Sequence, residues 1–195
     1  VLPTGKIHLV TDKIYDKIAY RGSSEGIVGV YKTKTSSLKD FKSKENSSII
    51  IVESIEKPGN LGAILRSCEA FGINALIVTD SKVDFYNPNV IRSSVGCLFG
   101  MNIFSSSNVE TFQYLKENGY QIYTTIMDQE SANIQTRNLK EKSAVLFGTE
   151  HSGLTDFWIG KGKNTIIPMS GSIDSLNLSN AVAICGYEIL RQKME

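Results

Sequence analysis

A chain of 195 residues, 41% hydrophobic and 21% charged, can build one domain with a good core, or one domain plus a small appendage; this excludes a disordered or fibrous chain and two full-sized domains. Its longest apolar runs are strand-sized, short of the roughly 20 residues of a membrane span, and Cys68, Cys97 and Cys185 lack a CxxC spacing and read as reduced core thiols. The formal net charge of +1 argues weakly against a nucleic-acid partner, but residues 1–48 carry nine Lys/Arg against five Asp/Glu, a local excess of +4 that leaves −3 for the rest. That excess suits either a solvated face or an arm that approaches RNA.

The chain opens on Val1, with neither a methionine nor a charged start followed by an apolar core, and reads as a fragment of a cytoplasmic protein. With His8 and His151 as its only histidines, no zinc site is expected. Residues 32–47 are rich in lysine and serine and read as a linker. Beyond them, SIIIVES at 48–54, LGAILRSCEAFG at 61–72 and NALIVTD at 74–80 make a βαβ opening. NVETFQYLKENG predicts a helix with Asn108 as its cap and Gly119 in the left-handed position after its end, followed by the strand YQIYTTI. SAVLFG, ending at 148, and NTIIPM at 164–169, stopped by Pro168, are further strands, and a final helix covers 177–193. This alternation predicts an α/β fold: a mainly parallel sheet with helices on both faces.

Ligand sites in such sheets gather at the carboxyl ends of the strands, where three polar blocks fall. In the first, Lys57-Pro58-Gly59-Asn60-Leu61-Gly62, Asn60 reads as a helix cap, and Arg66 inside that helix is either a snorkelling side chain or a clamp for a phosphate or hydroxyl. The block lacks the spacing of a dinucleotide fingerprint or a P-loop. In the second, Gly148-Thr149-Glu150 sets a carboxylate beyond a buried strand, as a surface acid or as a ligand-orienting acceptor, and Gly148 would let backbone approach a flat ligand. The third, residues 168–181, holds more small and polar residues, Ser175 and Asn177 among them, than helix capping needs.

These residues resemble, in order and spacing, the SpoU (TrmH-like) branch of the SPOUT methyltransferases. Asn60, Gly62 and Arg66 match its NxGxxxR, Gly148 and Glu150 its GxE, and IPMSGSIDSLNLSNA its IPM followed by SLNVS. The likeness covers roughly 48–195, including YNPNVIRSSVGCLF between the first two motifs; residues 1–31 resemble, more weakly, the end of a ribosomal-protein-like substrate-binding domain, as if the chain were truncated within it. The resemblance implies a deep C-terminal trefoil knot, a homodimer whose active site forms across the interface, and S-adenosylmethionine as cofactor; from the residues themselves, no metal and no membrane are expected. Its function would be 2′-O-methylation of a ribose in structured RNA, ribosomal rather than transfer RNA. Carried over, the backbones of Gly148, Ile167 and Leu176 contact the cofactor, Arg66 is the catalytic arginine, and Asn60, Glu150, Ser175 and Asn177 are its polar support. His151 and Cys185 receive no role.

A guanidinium is a poor base because it stays protonated. Arg66 therefore either loses its proton transiently in the assembled site or, as we favour, grips the phosphate and stabilises developing alkoxide. The rival from another class is a non-catalytic RNA-binding or ribosome-assembly module that keeps the fold. Within enzymes, the rival is base methylation.

Overall fold

A computed structural model describes residues 7–20, 26–34, 36–149, 151–173 and 175–195. The chain divides into two units, at residues 1–34 and 35–195. In the first, Asp12–Ile18 forms helix α1, with Asp12 in its first turn and Lys17 in its last, the charge order a helix dipole favours.

The second unit starts inside the stretch read as a linker at 32–47. Its lysines face water, but Leu38 is buried, and Phe41 packs its ring against Phe104 and Tyr114 with centroids 5.4 and 6.3 Å apart. Apolar residues spaced among lysines seat this stretch on the sheet, which composition alone did not reveal.

Seven strands follow: β1 (Ser48–Glu53), β2 (Ala75–Thr79), β3 (Ile103–Ser106), β4 (Gln121–Thr124), β5 (Ala132–Asn133), β6 (Ser143–Phe147) and β7 (Lys163–Ile166). All pairings are parallel, in the order β3-β2-β1-β6-β4-β7-β5. The helices are α2 (Pro58–Ala70), α3 (Pro88–Ser93), α4 (Cys97–Gly100), α5 (Asn108–Glu117) and α6 (Leu178–Met194).

β1, β2 and β6 are buried at every position, which is why they read as continuous apolar runs rather than alternating ones. Alternate residues feed two cores. Ile50, Val52, Leu76, Val78 and Val145 meet Leu61, Leu65, Val182 and Ile189 of α2 and α6, while Ile49, Ile51, Ile77 and Leu146 meet Leu115 of α5 and Trp158. Each fully buried Leu or Ile contributes roughly 1.5–3 kcal/mol of transfer free energy.

Two expected caps are corrected. α2 begins at Pro58, whose fixed φ and missing N–H suit the first helical position, so Asn60 lies inside the first turn. α5 is capped by Ser107, whose side chain accepts from the Glu110 N–H while the Glu110 carboxylate accepts from the Ser107 N–H. Gly119 does take the left-handed conformation expected of it, at φ 71°. β7 stops at Ile166, before Pro168 can interrupt the ladder.

Candidate functional site

Strands β4, β6 and β7 lie side by side, and their carboxyl ends open into a cavity of about 180 Å³. Gly148 and Thr149 enter it from β6, Thr165, Ile166 and Ile167 from β7, and Thr125 and Met127 from β4. Ser175 and Leu176, just ahead of α6, close another side. Gly148, Ile167, Leu176 and Ser175, four residues predicted from sequence, thus line one cavity from three of its sides.

The wall at Gly148 is shaped by the loop that follows it. Thr149 and Gly153 exchange backbone hydrogen bonds of 3.0 and 3.1 Å, and the Ser152 N–H donates to Thr149 Oγ1 at 2.9 Å. A Cβ on Gly148 would fall 1.9 Å from the Gly153 carbonyl carbon. The close approach that glycine permits here is therefore to its own loop as well as to the cavity.

Outside the cavity lining, Asn177 caps α6 by accepting from the Ser179 N–H at 3.0 Å, and its Nδ2 donates to Asn60 Oδ1 at 3.4 Å. The first and third blocks therefore meet through two amides. Arg66, six residues further along α2, is exposed and does not line the cavity. Glu150 lies outside the described residues.

The glycine of the first block has a packing role. A Cβ on Gly62 would lie 1.8 Å from Ser93 Oγ and 2.8 Å from the Ser94 nitrogen, so glycine lets α3 pack directly on α2. The Ser93 hydroxyl donates to the Asn89 carbonyl at 2.6 Å, which holds it in that contact.

Residues of the β4 end were missed by sequence reasoning. Applying the strand-end rule to YQIYTTI as well would have pointed to Thr125 and Met127. Behind them, Asn164 accepts from Thr124 Oγ1 at 2.8 Å and donates to Asp128, while Arg137 donates to Thr165 Oγ1 at 3.1 Å and to the Asn164 carbonyl. Hydrogen bonds from Ser131, then from the Glu130 N–H and Asn164, hold the Asp128 carboxyl below its usual range.

Apolar and small residues, relieved by threonine hydroxyls and by backbone beyond the last paired residue of β7, suit the flat face and polar edge of a nucleoside. Among the described residues no group of three or more His, Cys, Asp or Glu is placed to hold a metal, and no helix is long and apolar enough to cross a membrane.

A parallel α/β sheet with a small-residue cavity across three strand ends defines a class of open α/β folds whose ligand sites lie at the carboxyl edge of the sheet. Residues 47–187 match the SpoU rRNA Methylase family, and the chain belongs to it. It is 37% identical to an uncharacterized tRNA/rRNA methyltransferase of Borreliella burgdorferi, over 80% of this chain and 68% of that protein. It is 29% identical to a 23S rRNA (uridine(2479)-2′-O)-methyltransferase of Streptomyces viridochromogenes, over 86% and 61%. Among solved structures, an RNA 2′-O ribose methyltransferase superposes with a TM-score of 0.74 at 35% identity, covering 82% of this chain and 61% of that one. The SpoU methyltransferase AviRb of Streptomyces viridochromogenes, in complex with the cofactor AdoMet, gives 0.77 at 27%, covering 84% and 64%. This chain therefore spans about 61 to 68% of the length of these relatives.

Proposed function

We propose that the chain is the methyltransferase part of an enzyme that transfers a methyl group from S-adenosylmethionine to a ribose 2′-hydroxyl of structured RNA. The observation that carries this reading is the convergence of Gly148, Ile167, Ser175 and Leu176 on one cavity at the carboxyl edge, with Asn177 beside them bonded to Asn60. When bound, the cofactor supplies a methyl group already activated on a sulfonium. The backbone at Gly148, Ile167 and Leu176 would grip its adenosine, and the threonines of the lining would meet its polar edge.

The chain's own residues then have two tasks, alignment of the hydroxyl and management of its proton. In this reading Arg66, exposed on α2, holds the phosphate beside the target ribose and stabilises developing alkoxide. Asn60, Ser175, Asn177 and Glu150 are proposed as its polar support. Relatives named as 23S rRNA 2′-O-methyltransferases, from Streptomyces viridochromogenes and Bacillus subtilis, favour ribosomal RNA as substrate. A cytoplasmic homodimer with the C-terminal trefoil knot completes the proposal. Exposed Ile184 and Tyr187 on α6 offer an apolar face for a second copy, and the sheet order, which sets β7 outside β4 while α6 packs back on α2, suits the knot.

The test is methyl transfer from radiolabelled S-adenosylmethionine to ribosomal and transfer RNA, with calorimetry for cofactor binding. Arg66→Ala should lower turnover by at least about 100-fold, the effect of removing one group that stabilises transition-state charge, and leave the cofactor Kd unchanged. With Arg66→Lys, activity rising with pH through a depressed lysine pKa would favour a base, and activity independent of pH would favour a clamp. Normal turnover in Arg66→Ala would remove both accounts, and a chain that binds RNA without binding cofactor would be a non-catalytic module.

A further inference from the structure

Glu53 ends β1 with only 1% of its surface exposed, and neither the cavity nor the proposed chemistry uses it. Its two oxygens accept three hydrogen bonds, all from other parts of the chain. Thr155 donates its N–H at 2.8 Å and its hydroxyl at 2.7 Å, and Asn108 donates Nδ2 at 2.5 Å. Asn108 Oδ1 in turn accepts the indole N–H of fully buried Trp158 at 3.3 Å. The amide orientation is fixed by its neighbours, because a carboxylate can only accept and an indole can only donate. Trp158 is held edge-on by Phe157 and Phe112, with centroids 5.0 and 6.2 Å away.

Thr155 and Trp158 belong to the β6–β7 connection, the same segment whose near end supplies Gly148, Thr149 and Gly153 to the cavity. That connection is therefore pinned twice. The Thr149–Gly153 pair fixes it beside the cavity, and Glu53 fixes it two residues later. Leaving a buried carboxylate in the sheet costs desolvation that an apolar residue would avoid, and three acceptor bonds to distant segments are what offset it.

We infer that Glu53 is a positioning residue: through Thr155 and Asn108 it sets the β6–β7 connection in the shape that completes the cofactor-facing wall at Gly148, Thr149 and Gly153. This rests on the proposed cofactor reading, so the experiment has one arm that needs no cofactor. In Glu53→Gln, amide hydrogen exchange in the peptide spanning 148–158 of the free protein should accelerate about tenfold, the effect of losing one hydrogen bond to a charged group, while β1 and β2 stay protected. The Kd for S-adenosylmethionine should rise by a similar factor, with kcat at saturating cofactor within about twofold of the parent.

Thr155→Val, which keeps the exposed site folded and removes only the hydroxyl, should show the same split more weakly, and the double variant should fall short of the product of the two singles. It also decides the matter if Glu53→Gln does not fold. A residue that merely stabilised the fold would lower Tm and leave Kd untouched. Unchanged loop exchange and unchanged Kd in folded variants would overturn the inference. A parent protein that binds no cofactor would end the functional proposal, while loop exchange would still decide whether Glu53 holds the connection.

Discussion

At the scale of single residues, the buried thiols show how environment sets chemistry. Cys68 on α2 and Cys185 on α6 lie in the same apolar core, and burial pushes both thiols up to about 12, the second aided by the nearby Glu188 carboxylate. At pH 8 only about one in ten thousand such groups is thiolate, the reactive form. Cys97 is half-buried at the start of α4. A thiol reagent such as dithionitrobenzoate should therefore label Cys97 alone in the native protein and all three cysteines after denaturation, read by absorbance and by peptide mass. Rapid labelling of Cys68 or Cys185 under native conditions would show that the α2–α6 layer opens readily. Their apolar sequence surroundings already suggested this inertness. The partner role of Glu53 was not visible, because Thr155 and Asn108 are 102 and 55 residues away along the chain.

At the scale of elements, Gly62 tests what the first motif is for. An alanine there would drive its Cβ into Ser93 Oγ at 1.8 Å and towards Ser94 backbone at 2.8 Å, so α3 must retreat from α2. Gly62→Ala should lower stability by about 1–3 kcal/mol, the usual cost of overpacking, as a fall in the urea midpoint with an unchanged slope. Adding Ser93→Gly should recover only part of the loss, since the Ser94 nitrogen remains in the way. Full recovery would mean that the side chain alone sets the spacing.

The elements divide by what a linear pattern can carry. β1, β2 and β6 were legible as unbroken apolar runs because both faces are covered, and α6 as a long amphipathic stretch. β3 and the two-residue β5 were not, since each is too short and too exposed to show a period. Ser107 was passed over for Asn108 because both can cap, and only the reciprocal bond with Glu110 distinguishes them. Three cavity walls were legible through the family motifs; the β4 wall carries no such motif and was open only to the strand-end rule at YQIYTTI, while its place between β6 and β7 is a non-local fact.

At the scale of the whole molecule, the titrating groups bound a pH window. Hydrogen bonds hold four carboxyls below their ordinary 4.5 or 3.8: Arg191 holds Glu188, the Ser107 backbone and side chain hold Glu110, Lys82 holds Glu56, and Ser131 holds Asp128. Each is deprotonated more readily folded than unfolded, so its contribution is present above the ordinary carboxylate range and lost as pH falls through the lowered value. Cys68, Cys185 and Tyr114 are raised to about 12 from 9.0, 9.0 and 10.0. The unfolded chain loses those protons first, so their contribution is present at neutral pH and declines as pH rises above about 9. Stability should therefore be flat between roughly pH 5 and 9 and fall on both sides, measured as the urea midpoint.

The acid limb should owe most to Glu188, the one buried member of the four. It accepts from Arg191 through both oxygens at 2.9 Å and from Gln192 at 2.7 Å, and Gln192 in turn accepts the Leu139 N–H at 2.9 Å. That chain of bonds ties the last turns of α6 to the segment entering β6, whereas the other three carboxyls are exposed and screened by salt. Glu188→Gln should lower the neutral midpoint and shrink the acid drop, and 0.5 M salt should leave most of the drop remaining in the parent. An acid limb unchanged by Glu188→Gln would assign it to the exposed carboxyls of Glu56, Glu110 and Asp128 instead.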